Sequence, residues 1–157
     1  MVSWGNSPVH RFIHSSEEYY VKYDVSQDPE YLDIAADIIG VPHFNPDLTY
    51  TIGIFDDDCE FQGVLLYNNW EEKNVSMHIA SVTPKWCTKS VLKVIFTYPF
   101  MELGVNRVTA AIREGNTKSR SLVERLGFKQ EGELRHYYDT GESDIIYGMT
   151  KEECRWI

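Results

Sequence analysis

Residues 106–132 read NRVTAAIREGNTKSRSLVERLGFKQEG, and this stretch decides the fold. Arg107 to Arg113 alternates small or apolar with polar residues, the period of a half-buried strand. Asn116 follows a glycine and precedes an amphipathic run, which is the setting of a helix N-cap. Leu122, Val123 and Leu126 share one helical face. Gly127 stands where a helix ends in a left-handed residue, and Phe128 is placed to fold back onto the last turn. Strand, cap, helix, stop and strand thus follow one another with almost no spare residue.

Working outward, the 157 residues are enough for one domain with a real core, read as residues 1–157. No run of 18 apolar residues occurs, and MVSWGNSPVHRF lacks the apolar core of a signal peptide, so a cytoplasmic protein without a membrane span is expected. Cys59, Cys87 and Cys154 are odd in number and far apart, a pattern suited to a reducing compartment and without zinc-ligand spacing; no metal is expected. The net charge of −9 is unevenly spread: residues 1–72 hold 14 acids against two Lys or Arg, whereas residues 73–157 hold 13 Lys or Arg against 10 acids. The acidic half repels nucleic acid and attracts a cationic amine; the milder second half suits an anionic ligand.

Along the chain, Tyr19 to Val25 reads as a strand and Asp28-Pro29-Glu30 as the start of a helix whose apolar face is Tyr31, Ile34, Ala35, Ile38 and Ile39. Gly40 and Pro42 stop it. Strands follow at 50–55 and 61–67, joined by Asp56-Asp57-Asp58, a solvated turn without the ligand spacing of a calcium loop. Another strand spans 75–82. A helix spans about 88–103, with Pro99 expected to kink it or end its regular part. Beyond Gly132, strands are expected at about 134–138 and 145–150. The order β-α-β-β-β-α-β-α-β-β is that of a mixed, mostly antiparallel α/β sheet with helices on both faces.

Asn116-x-x-Ser119, Leu126-Gly127-Phe128, Glu131-Gly132 and the Asp144-Ile145-Ile146-Tyr147 ending together resemble the GNAT superfamily of acyl-CoA-dependent N-acetyltransferases, over roughly residues 60–150. The resemblance leans to the branch that acetylates ribosomal-protein N-termini. It implies an enzyme that moves acetyl from acetyl-CoA to a primary amine by direct attack, as a monomer or homodimer. It also implies that the loop opening the second helix holds the pyrophosphate, through Cys87, Thr88, Lys89 and Ser90. That loop lacks the family's glycines, and Leu92 narrows the approach. Strand 76–82 is expected to splay from its neighbour and to offer N–H groups near Ala80 and Val82 to the pantetheine arm. Asn116 and Ser119 would line the far side of the cofactor while capping the next helix. His78 is the expected general base, because its imidazole titrates near neutrality and family members place a base on this face; Ser76, on the same face, would relay a proton. A base on the next strand is ruled out because that position is Ala111. The family's tyrosine acid is replaced by Val123, which leaves Tyr138 or Tyr137 as candidates. These departures keep a second reading open, a non-catalytic module of the same fold that binds acetyl-CoA or a basic protein.

Overall fold

The computed structural model describes residues 9–14 and 17–157, with side chains from Lys22 onward. Its described residues form one eight-stranded sheet in the order β1-β2-β3-β4-β5-β6-β8-β7. The strands are β1 (Val9–His14), β2 (Glu17–Asp24), β3 (Tyr50–Phe55), β4 (Phe61–Glu71), β5 (Asn74–Ser81), β6 (Arg107–Arg113), β7 (Lys129–Leu134) and β8 (Asp144–Thr150). Every neighbouring pair is antiparallel except β5 with β6. The expected fold class and mixed sheet are both present.

Two differences from the sequence reading concern the ends. A strand precedes the first one expected: β1 pairs along its whole length with β2. The penultimate strand is Lys129–Leu134 and not 134–138. His136 takes a positive φ of 54°, and the N–H groups of Tyr137 and Tyr138 both donate to the Glu142 carbonyl, so this segment turns back on itself.

Helix α1 (Glu30–Ile39) covers one sheet face and helices α2 (Lys89–Thr97) and α3 (Thr117–Leu126) the other. Against α1 pack Phe55, Val64, Leu66 and Ala80. Against α2 and α3 lies the larger core, with Met77, Phe96, Phe100, Val108, Ala110 and Phe128 among its members. Pro99 acts as expected. Regular α-helix ends at Thr97 and a π-turn follows at Tyr98–Glu102, closed by the Leu103 N–H donating to the Tyr98 carbonyl at 3.0 Å. At the end of α3, Gly127 has φ 112°, a conformation that costs an L-residue with a Cβ, and the Phe128 N–H closes the turn on Val123. Among the described residues no helix is long and apolar enough to cross a membrane.

Candidate active site

The sheet is open at its centre. Strands β5 and β6 pair only at Asn74–Arg107, Val75–Val108 and Ser76–Thr109, and then diverge, as the splay of strand 76–82 required. Beyond that point β5 pairs with β4 alone and β6 with β8 alone. The orientation of the free groups follows from register. The Val82 N–H donates to the Gln62 carbonyl of β4 at 3.0 Å, and the Arg107 N–H donates to the Lys73 carbonyl on the β6 side at 3.1 Å. With a period of two, even-numbered residues of β5 turn their amides to β4 and odd-numbered ones to the gap. The N–H groups that face the opening therefore belong to Ile79 and Ser81, and those of Ala80 and Val82 do not. The sequence reading placed these groups one residue out of phase, because phase depends on which strand lies on which side.

A cavity of about 510 Å³ fills the opening. Met77, His78, Ile79 and Ser81 line it from β5, Ala110 to Arg113 from β6, Asn116, Ser119, Leu122 and Val123 from the start and body of α3, Ile39 to Val41 from the end of α1, and Tyr138 from the returning loop. A second cavity, of about 1170 Å³, continues from it past the start of α2 and shares Ser81, Asn116, Ser119 and Leu122. Its lining includes Lys89, Lys118 and Arg125 and, among the described residues, no carboxylate. An adjoining recess adds Lys93 and Arg155.

His78 reaches the first cavity from β5. Its Nε2 lies 3.0 Å from Asn68 Oδ1, and its ring meets Phe44 edge-on, with centroids 5.6 Å apart. With Oδ1 as acceptor the proton sits on Nε2, and Nδ1 keeps its lone pair. Burial pulls the imidazole below its ordinary value, so the neutral, basic form prevails at neutral pH. Ser76 shares the strand face of His78 but is not part of the cavity wall. Tyr138 is in the wall, with its hydroxyl donating to Asp144 Oδ1 at 2.9 Å and its ring under the Arg113 guanidinium at 4.0 Å. Burial first, then the bond to Asp144, pushes Tyr138 up to about 12. The raised phenol is a weaker acid, and its proton is engaged by Asp144, which counts against it as the proton donor. Tyr137 is exposed and outside the cavity wall.

At the start of α2, the Thr88 hydroxyl accepts the Val91 N–H at 3.3 Å. Lys89 and Ser90 hold the first two helical positions, whose N–H groups have no carbonyl within the helix. Thr88 thus positions the turn and keeps its hydroxyl occupied. Thr88 lines a separate recess of about 240 Å³ with Lys22, Asp56 and Gln62, Ser90 borders both this recess and the one adjoining the basic cavity, and Cys87 and Lys89 line the basic cavity itself. Thr88→Ala is expected to cost about 1 kcal/mol of stability, measured by denaturant melt. Burial raises the Cys87 thiol and Arg125 pulls it down. Asn116 caps α3 through the Ser119 N–H at 3.2 Å and still borders both cavities, so its two expected positions coincide. Asp56, from the acidic triplet, accepts the N–H groups of Asp58 and Glu60, as a hairpin turn requires.

Residues 6–129 match the acetyltransferase (GNAT) domain family. The chain belongs to the GNAT acetyltransferase family. Among curated proteins, this GNAT chain is 42% identical over 55 residues to YdaF of Bacillus subtilis, provisionally named a ribosomal N-acetyltransferase, covering 34% of this chain and 30% of that one. It is 34% identical over 76 residues to the prophage-derived N-acetyltransferase YokL of the same organism, covering 44% and 41%. The matches thus span less than half the length of these relatives. Among solved structures, the spermidine/spermine N-acetyltransferase SpeG of Vibrio cholerae, in a mutant form, superposes with a TM-score of 0.67 at 12% identity, over 84% of this chain and 95% of that one. A further structure described as a probable acetyltransferase gives 0.63 at 20% identity, over 85% and 94%. Both likenesses concern the fold.

Several residues of the candidate site carry no sequence signal of their own. Arg125 lies in the last turn of α3, where a cation is ordinary. Trp156 borders the basic cavity because its indole N–H donates to the Leu126 carbonyl at 2.9 Å, which folds the C-terminal segment under α3. Arg155 follows, donating to the Arg125 carbonyl and lying 4.7 Å above the Trp156 ring.

Proposed function

We propose that the protein transfers an acetyl group from acetyl-CoA to a primary amine. The observation that carries this reading is the continuity of the two cavities: a basic, carboxylate-free cavity at a helix start leads directly to an open strand edge beside His78. CoA is an anion with a long amide-bearing arm, and each part has a counterpart. The Lys89 and Ser90 N–H groups and the surrounding cations suit the phosphates. The Ile79 and Ser81 N–H groups suit the amides of the arm, which then runs as an extra strand in the gap. Leu92, 3% exposed, stands in the wall where a smaller residue would give the phosphates more room.

His78 Nδ1 takes a proton from the acceptor ammonium, directly or through water, and the lone pair freed on the neutral amine then forms the new bond to the thioester carbon. The tetrahedral adduct collapses: its nitrogen gives up a second proton to water, the C–S bond breaks, and the thiolate leaves with its electron pair and is protonated from solvent. No covalent enzyme intermediate is needed. Tyr138, held by Asp144, shapes the wall instead of supplying this proton.

The acceptor side is less acidic than the charge of residues 1–72 suggests. Ile39 and Val41 form its mouth, Ile38 and Val41 are 44% and 37% exposed, and among the described residues no carboxylate lines the cavity. The α1 acids Glu30, Asp33 and Asp37 lie outside the cavity wall and draw cations from a distance. This supports an amine borne on a peptide-like, partly apolar body, such as a protein N-terminus, over a free polyamine. The rival reading, a non-catalytic binder, is favoured by Ala111 and Val123, which bring no ionisable group to the cavity.

Calorimetry with acetyl-CoA, and with desulfo-CoA as a control, tests the donor site. Wild type is expected to bind in the micromolar range, and Arg125→Glu to bind about tenfold or more weakly, with a shallower dependence on salt. Absence of binding by the folded wild type would overturn the reading.

A further inference from the structure

We propose that the cavity between β5, β6 and α3 is an acyl-chain pocket, and that the protein takes acyl-CoA donors longer than acetyl, up to about four carbons. The inference rests on the transfer reading above and adds the identity of the group transferred.

The side of the cavity toward α3 is formed by Met77 and Ile79 of β5, Ala110 and Ile112 of β6, and Leu122 and Val123 of α3. Strand parity puts the four β residues on one sheet face, and all six belong to or pack against the larger core. The polar members of the lining are His78, Ser81, Arg113, Asn116, Ser119 and Tyr138. Ser81, Asn116 and Ser119 border the basic cavity as well, so they stand along the path of the CoA arm.

An acetyl group ends in one methyl, and a slot for it needs only one or two apolar contacts. Six converging apolar side chains exceed that need. Two of the six, Ala110 and Val123, have short side chains that project little into the cavity of about 510 Å³. Such a wall offers water none of the two to four polar partners that hold it in a cavity. A methylene chain is the chemical complement. Burying each methylene contributes about fourfold in affinity.

The test needs no acceptor. Dissociation constants are measured by calorimetry for CoA, acetyl-CoA, butyryl-CoA and hexanoyl-CoA. Butyryl-CoA is expected to bind roughly tenfold tighter than acetyl-CoA. Leu122→Trp, at a partly exposed position that tolerates a larger ring, should bring that ratio close to one; Val123→Phe is the more severe version, and a thermal melt reports whether either has folded. If wild type binds acetyl-CoA as tightly as butyryl-CoA, the acyl pocket is refuted and the CoA site stands. If CoA itself does not bind, both readings fall.

Discussion

His78→Ala is expected to lower kcat by about 10²- to 10⁴-fold and to leave acetyl-CoA affinity essentially unchanged. The loss is large because the change removes the one imidazole that lines the cavity among the described residues. Binding is spared because the proposed mode places the phosphates and the CoA arm against α2, α3 and the edge of β5, away from the imidazole. Thiol release with a panel of peptide and polyamine acceptors gives the rate, and calorimetry gives the affinity. A variant that keeps full turnover on an identified acceptor would remove His78 from the mechanism.

The pH dependence follows from the same environment. Burial lowers His78 from 6.5, so the active neutral form persists somewhat below the ordinary titration of histidine, and the acid limb of the rate profile lies there. The limb should vanish in the variant. Stability is linked with the same sign. Below about pH 6.5 the unfolded chain takes up a proton at this residue that the folded one resists, so the contribution of His78 is full above that pH and declines as pH falls toward the lowered folded value.

Phe96→Ala should destabilise the fold by about 3–5 kcal/mol. Phe96 is fully buried, and its ring lies 6.4 Å from Phe100 of the π-turn and 6.1 Å from Phe128 beyond the α3 stop. It therefore joins α2, the irregular turn after it and the end of α3, and no neighbour can swing in to fill the space without leaving one of these contacts. For a chain of this size the melting temperature should fall by roughly 6–20 °C. Phe96→Leu, which retains most of the volume, should lose less than half as much. Equal losses in the two variants would show that the aromatic contacts, and not the cavity, dominate.

Much of this architecture is local and hence legible. Asn116 and Gly127 mark the ends of α3 through bonds that span three to five residues, and Pro99 ends α2 by lacking a donor. What escaped reading is set by distant partners. Tyr137 and Tyr138 have the composition of a strand, yet Tyr138 is held by Asp144 and Arg113, and the segment becomes a loop. The amides of β5 that face the gap are fixed by register with β4, which no periodicity in β5 can set. Arg125 and Trp156 meet at the basic cavity, with Arg155 in the adjoining recess, only because the C-terminal segment folds under α3. The apolar positions Ile38 and Ile39 fit the helical stripe of α1, but they lie past the covered part of the sheet and stay exposed at the mouth.

The three residue pairs that join β5 to β6 make the sheet two panels sharing a short seam. Strands β1 to β5 form one panel and β6, β8 and β7 the other, and above the seam only helices and side chains bridge them. A molecule that hydrogen-bonds into the gap would act as a rung between the panels. Part of its binding free energy would then appear as cohesion of the protein itself, with amides on both sides of the seam exchanging more slowly together. The ligand would in that sense be the ninth strand of the sheet.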